Sequence, residues 1–301
     1  MIKFKEIEIS DRKWITSIMA KANITGCHQS FINLFIWSKI YDYQVAKIND
    51  FLLVKGDFIE EGPYYFYPIG QGDIKGVLEE IRKDAMDRGN KLIYNGVTND
   101  DIDELNSLFP ESFVYKEMRD SFDYVYLLEK MVNLPGKKLH AKRNYINRFT
   151  KKYEWKFEEI TADNLSECME MSIEWCRVRD CQKDTQLEQE SCAVKRCFDY
   201  YEELGLEGGL LRVDGKVIAF TMGGKLSYNT YDINVEKAFT EFQGSYQMIN
   251  REFATWIQQK YPEVVYLNRE EDTGAEGLRQ AKLSYYPDYL AEKYLAYSVH
   301  K

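Results

Sequence analysis

At 301 residues, with 45% apolar and 30% charged side chains and 23 tyrosines, the chain exceeds the usual size of one hydrophobic core and is excluded from the disordered class; two domains of about 150 residues each are expected. A formal net charge of −9 argues against a general nucleic-acid binder. No apolar run reaches the roughly 18 residues that span a bilayer, and Met1 to Ser10 lack a leader pattern, so a cytoplasmic protein without integral membrane association is expected.

Hydrophobic periodicity predicts helices near 11–22 and 30–41, then a hairpin in which Tyr43 to Ile48 and Phe51 to Val54 flank Asn49-Asp50. A strand near 63–68, a helix near 73–88, a strand at Lys91 to Val97, a short helix near 100–108 and strands from Phe113 to Leu128 follow. Pro135 and Gly136 then interrupt the pattern. The next segment is a basic helix: Lys137, Lys138, Lys142, Arg143, Arg148, Lys151 and Lys152, with no acid among them, are built to meet an anion or the acidic remainder of the protein.

The second half repeats the order. Helices near 163–179 and 186–204 precede a hairpin at Asp214-Gly215, a strand at 228–235, a helix at 245–260, a strand at 264–268, a helix at 275–283 and a strand near 289–299. Two helices, a hairpin and alternating strands and helices make a mixed sheet with helices on its faces. The division that follows is a first domain over 1–133, a basic linker helix over 134–152, and a second domain over 153–301 that carries the site.

Five of the six cysteines fall between 168 and 197. Cys176/Cys181 and Cys192/Cys197 lie in helical patterns, where a five-residue step separates them by about 140° around the helix. Buried free thiols are expected, and no metal. A nucleophilic cysteine is not indicated, since His28, His140 and His300 have no motif linking them to a thiol.

Chemistry concentrates in the second half. Along the strand at 228–235, Tyr231, Ile233 and Val235 alternate with Thr230, Asp232 and Asn234, giving a polar face that continues to Glu236 and lines either an active site or solvent. Gln243-Gly244-Ser245 opens a helix whose Tyr246, Ile249, Phe253, Trp256 and Ile257 form one stripe; its N-terminus can seat a phosphate or simply turn the chain. Beyond Asn268 and Arg269, the acids Glu270, Glu271 and Asp272 precede a helix bearing Arg279 and Lys282, at the sheet edge where α/β ligands bind; an acidic turn pairing with the basic helix is the other reading.

This succession of strand, phosphate-type loop, helix, strand and helix resembles the GNAT superfamily. The stretches Leu134 to Asn144, Val235 to Ala238, Asn268 to Pro287 and Ser30 to Trp37 are similar to the soluble tandem-GNAT branch of the phosphatidylglycerol lysyltransferase C-terminal domain family, and more distantly to Fem-type aminoacyl transferases. The resemblance implies an α/β (α+β mixed sheet), tandem duplicated GNAT (acyl-CoA N-acyltransferase-like) fold. The implied activity is an acyltransferase or aminoacyltransferase, with acyl-CoA or aminoacyl-tRNA as donor and a small-molecule, lipid or peptide amine or hydroxyl as acceptor. A catalytically silent ligand-binding module is the alternative. The chain departs from the active lysyltransferases in having no transmembrane region and only a reduced phosphate loop.

An attacking nucleophile must lose a proton, which points to Glu236 or Glu270 as the base. Tyr285 is the candidate acid for the leaving group, and backbone N–H groups of the strand at 228–235 the source of oxyanion stabilisation. Gln243, Gly244, Ser245, Tyr246 and Asn268 would hold the cofactor. Lys138, Lys142 and Arg143 would meet tRNA, and Asp232, Asn234, Lys237 and Arg269 the substrate.

Overall fold

Side-chain oxygens placed just ahead of apolar periodic runs start several of the helices. Ser30 accepts a hydrogen bond from the Asn33 N–H, Asp73 from Gly76, and Asp184 from Gln186 and Leu187, while Thr98 and Asp101 form a reciprocal capping box. The computed structural model describes residues 1–22, 24, 26–57 and 62–299; His300 lies outside them.

In chain order the elements are β1 (Lys5–Glu6), α1 (Arg12–Met19), α2 (Phe31–Tyr41), β2 (Gln44–Ile48), β3 (Phe51–Gly56), β4 (Tyr64–Phe66), β5 (Ile69–Gly70), α3 (Ile74–Asp87), β6 (Ile93–Val97), α4 (Asn99–Leu108) and β7 (Phe113–Glu117). They continue with β8 (Asp123–Leu127), α5 (Leu128–Asn133), α6 (His140–Lys152), β9 (Trp155–Glu159), α7 (Leu165–Val178), α8 (Thr185–Asp199), α9 (Tyr201–Leu204) and β10 (Glu207–Val213). Last come β11 (Lys216–Lys225), β12 (Thr230–Ala238), α10 (Ser245–Lys260), β13 (Tyr266–Asn268), α11 (Glu276–Leu283), β14 (Tyr289–Ala291) and β15 (Tyr294–Ser298).

These strands form two mixed sheets. The first runs β1-β2-β3-β4-β6-β15-β7 with β5 beside β3; the second runs β9-β10-β11-β12-β13-β8-β14. Position by position the pairing sense agrees. Three antiparallel pairs lead to a parallel one, β4/β6 in the first sheet and β12/β13 in the second, and then to an antiparallel one. Both expected hairpins are present, with Asn49 at φ +51° in one and Asp214 and Gly215 at +49° and +82° in the other.

The sixth strand of each sheet breaks the order of the chain. The first sheet takes β15 from the C-terminus, and the second takes β8 from residues 123–127. Accordingly, one compact unit comprises 1–123, 271–279 and 290–301, and the other 124–270 and 280–289. This differs from the 1–133, 134–152 and 153–301 division, and α6 is part of the second unit rather than a linker. In the first unit, Val77, Leu78, Ile81 and Ala85 of α3 join Leu53, Tyr65 and Tyr94 of the strands in one core. In the second, Met248, Ile249, Phe253 and Ile257 of α10 are buried.

The expectation of free thiols at 176 and 181 is corrected. α7 ends at Val178, Asp180 adopts φ +52°, and the reversal brings Cys181 back to Cys176, where a disulfide joins them across a Cα separation of 5.2 Å. The helical extrapolation failed because the helix stops before the second cysteine. Cys27, Cys168 and Cys197 are buried free thiols and Cys192 an exposed one.

In β12 the register against β11 steps over Asn234, since Met222 pairs with Val235 and Gly223 with Ile233. This is a bulge. A Cβ on Gly223 would stand 1.9 Å from the Asp232 carbonyl oxygen, so Gly223→Ala should lower the unfolding free energy by about 1–3 kcal/mol. Gly277→Ala, at an open position of α11, should raise it by about 0.5–1 kcal/mol, and urea unfolding of the pair checks the contrast. Cys176→Ser should cost about 2 kcal/mol relative to the oxidised protein, and that difference should vanish when both are unfolded in dithiothreitol.

Candidate active site

The polar face of β12 gains its setting from where its neighbour stops. β13 pairs with β12 in parallel only as far as Asp232 and Asn268, whereas β12 continues to Ala238. Beyond that point side chains span the opening: Glu236 Oε1 accepts from Arg269 Nη2 at 2.9 Å, and Asn234 Nδ2 donates to Glu270 Oε1 at 3.1 Å.

Glu236 and Arg269 are largely buried, with side-chain exposures of 12% and 13%. Asn250 of α10 donates to Glu236 Oε2 at 3.1 Å. The guanidinium stands 5.3 Å from the ring centre of Tyr285 and 5.9 Å from that of Tyr126. Burial opposes its charge, but Glu236 and the two phenols outweigh that and hold the pKa of Arg269 above its ordinary value. Arg269 Nη1, Asn250 Oδ1 and Asn234 Oδ1 are buried without a hydrogen-bond partner among the described residues. One donor and two acceptors are thus left for a ligand.

Lys142 of α6 packs on the same tyrosine. Its Nζ lies 4.1 Å from the Tyr285 ring centre and donates to Ser284 Oγ at 2.6 Å. Burial, helped by the charge of Arg269, brings its pKa down to about 8. Burial also pushes the Tyr285 phenol well above its usual value, with Arg269 pulling the other way, so this group holds its proton firmly and is a weak acid for a leaving group.

Deeper in the opening, Asn234 Nδ2 also donates to Asp232 Oδ2 at 3.1 Å, and Asn268 Oδ1 accepts from the Glu270 N–H at 2.7 Å. Lys282 is buried and donates to the carbonyls of Arg269 and Glu270, fixing the chain as it leaves β13. Asp272, fully buried in the first unit, takes a double hydrogen bond from Arg279, a structural pairing.

The family model for phosphatidylglycerol lysyltransferase, C-terminal, matches residues 20–297. The chain belongs to this family. A conserved protein of unknown function from Bacteroides thetaiotaomicron VPI-5482 is 41% identical, with 99% of this chain and 100% of that one covered and a TM-score of 0.93. L-PGS from Bacillus licheniformis is 15% identical over 97% of this chain and 93% of its own, at TM-score 0.65. A tandem GNAT protein from the clavulanic acid biosynthesis pathway is 8% identical with both chains fully covered, at TM-score 0.50. At such identities the last two show a shared fold, and the tandem GNAT architecture is that of this family member. No helix among the described residues is long and apolar enough to cross a membrane.

Of the residues singled out in the sequence, Glu236 pairs with Arg269, Arg269 and Lys142 each lie over the Tyr285 ring, and Asn234 joins Asp232 and Glu270, with Asn268 bonded to the Glu270 N–H. Lys237 alternates to the other face of β12, where its ammonium pairs with Glu190 at 2.6 Å and stacks 4.1 Å from Trp175. Arg143 donates to the carbonyls of Leu134 and Gly136, closing the turn into α6, and Lys138 lies over the Tyr286 ring. Gly244, at φ +97°, makes its close approach to protein: a Cβ there would be 2.8 Å from the Tyr145 carbonyl oxygen of α6. Ser245 is buried and donates to the Phe239 carbonyl, Tyr246 is partly buried, and Gln243 is exposed. Asn250 and Ser284 were missed; the signal for Asn250 was a polar residue beside the apolar stripe of α10.

A second charged cluster belongs to the first unit. Cys27, Asp123 and Glu271 are able to offer a metal ion ligand atoms within 4.8 Å of one another. The Lys293 ammonium stands among them, 2.5 Å from Asp123, 3.5 Å from the Cys27 sulfur and 3.8 Å from Glu271, and supplies positive charge there. Nearby, burial and that ammonium pull the His28 imidazole down to about 3, so it is neutral. No spacing in the sequence signals this group, since Cys27 is 96 residues from Asp123 and 244 from Glu271.

Removing one partner of the Glu236–Arg269 pair leaves a buried charge uncompensated. Arg269→Met should cost about 3–5 kcal/mol, and adding Glu236→Leu should recover most of that, measured by denaturant unfolding of the single and double variants.

Proposed function

We propose that the second unit transfers an aminoacyl group from aminoacyl-tRNA to an amine or hydroxyl of an acceptor, with Glu236 as the proton acceptor. The observation that carries this reading is a carboxylate held by Arg269 and Asn250 where β12 and β13 part, beside buried polar atoms that have no protein partner. The nucleophile attacks the acyl carbonyl and gives its proton to Glu236; the ester bond to the tRNA ribose breaks, and the departing ribose oxygen takes up a proton. Arg269 Nη1, buried without a partner among the described residues, and backbone N–H groups at the Asn234 bulge would stabilise the developing oxyanion.

Two features favour tRNA over acyl-CoA as donor. Gly244 and Ser245, the residues suited to a pyrophosphate, are buried against α6 and the Phe239 carbonyl. Lys137, Lys138, Arg148, Lys151 and Lys152 of the same basic segment are exposed in a chain of net charge −9. The family name points to lysine as the transferred group and phosphatidylglycerol as one acceptor to try.

The test uses lysyl-tRNA, acetyl-CoA and vesicles containing phosphatidylglycerol. Glu236→Gln should reduce lysyl transfer at least about 100-fold while leaving tRNA binding intact. Replacing Lys138, Lys151 and Lys152 by Ala should weaken tRNA binding and lower its salt slope by up to about three. Binding of neither donor by the wild-type protein would overturn the reading and favour a silent ligand-binding module.

A further inference from the structure

We infer that the Cys176–Cys181 disulfide is a redox switch: a dithiol opens it, and the loosened end of α7 relaxes its hold on β12 next to Glu236. The exchange chemistry stands by itself, while the effect on transfer rests on the reading of Glu236 as the proton acceptor. All the residues involved belong to the second unit. The bond joins the last turn of α7 to the short turn Cys181–Lys183 ahead of α8. Its cysteines are only 5 positions apart, so it constrains the unfolded chain little and lacks the stabilisation that a long closed loop gains. The reversal it closes passes through Asp180 at φ +52°, a left-handed residue that is not glycine. Cys176 is partly exposed, Cys181 is buried, and both line a small cavity with Trp175, Glu190 and Lys237. An attacking thiolate therefore meets the Cys176 sulfur first.

Direct contacts carry the state of that bond to the strand. Trp175, the residue before Cys176, donates from Nε1 to the Ala238 carbonyl at the end of β12 at 3.2 Å. Its ring lies 4.1 Å from the Lys237 ammonium, which pairs with Glu190 of α8 at 2.6 Å. The two helices that the disulfide ties together thus hold the two residues that follow Glu236. In the exchange, one thiolate of a dithiol bonds to the Cys176 sulfur, the Cys176–Cys181 bond breaks, and Cys181 leaves as a thiolate and takes up a proton. The second thiol of the dithiol gives up its proton and attacks the mixed disulfide, closing its own disulfide and releasing Cys176, which is protonated in turn. Two electrons pass to the protein, and an oxidised dithiol reverses both steps. With the bond open, the reversal retains the backbone hydrogen bonds of a short turn and the exposed Lys183–Asp180 pair.

The probe is dithiothreitol added to the native full chain. Alkylation and peptide mass mapping should find Cys176 and Cys181 joined before treatment and both alkylated after it, and oxidised dithiothreitol should restore the bond. Reduction should speed hydrogen exchange of the amides in 179–187 about tenfold or more. It should also slow lysyl transfer about threefold or more. Replacing both cysteines by Ser should reproduce the reduced values and remove the response to dithiothreitol. Trp175→Phe deletes the donor to Ala238, so it should keep the exchange response of 179–187 and lose the response of transfer. A bond that dithiothreitol leaves intact in the native protein, or amide exchange or transfer that is equal in the two redox states, would overturn the inference. A chain that transfers nothing in either state refutes the transfer reading instead. The switch is then decided by the amides of Lys237 and Ala238, whose exchange should quicken on reduction and whose indifference sinks it.

Discussion

Everything in the second unit's pocket depends on a parallel pair of strands that stops early. Past Asp232 and Asn268 the ladder ends, and β12 is left to carry Asn234 and Glu236 without a strand on that side. A sheet closed by backbone pairing has no room for a ligand. The bulge at Asn234 adds to the effect by bending β12 and setting Glu236 toward Arg269, and it is possible only because Gly223 has no side chain to strike the Asp232 carbonyl.

The balance of charge around that opening is equally particular. Glu236 is matched by Arg269, and the extra cation is Lys142, which has aromatic carbon and a hydroxyl for company rather than an acid. The first unit solves a similar problem in the other direction, with Lys293 set among Asp123, Glu271 and a thiol. Lys142 has no carboxylate in contact among the described residues, whereas Lys293 is held between two.

Local signals were readable in the sequence because they act over a few residues. Asp214-Gly215 specified its hairpin, but simple alternation put Glu236 on the face of Asp232, and the one-residue bulge at Asn234 sets it instead with Tyr231 toward α10. Lys237, grouped with Asp232, Asn234 and Arg269 as meeting substrate, stands next to Glu236 in the strand and so points the opposite way, to Glu190 and Trp175. The exchange of β8 and β15 was not readable: Tyr124, Val125 and Tyr126 announce a strand buried on both faces but carry no mark of which sheet receives it. Nor was the reversal at Asp180, where one left-handed residue decided the fate of two cysteines, or the Lys142–Ser284 contact between residues 142 positions apart.

The exchanged strands impose an order on synthesis. The first sheet remains open between β6 and β7 until β15 has been made, and β15 is the last strand of the chain. At ribosomal speeds of roughly 5–20 residues per second, the stretch from β6 to β15 takes on the order of 10–40 s, during which two strand edges have no partner. A fragment ending before residue 294 would keep those edges exposed permanently. The unit whose sequence comes first is therefore the one that closes last, and this fold cannot be dissected into an independent N-terminal half.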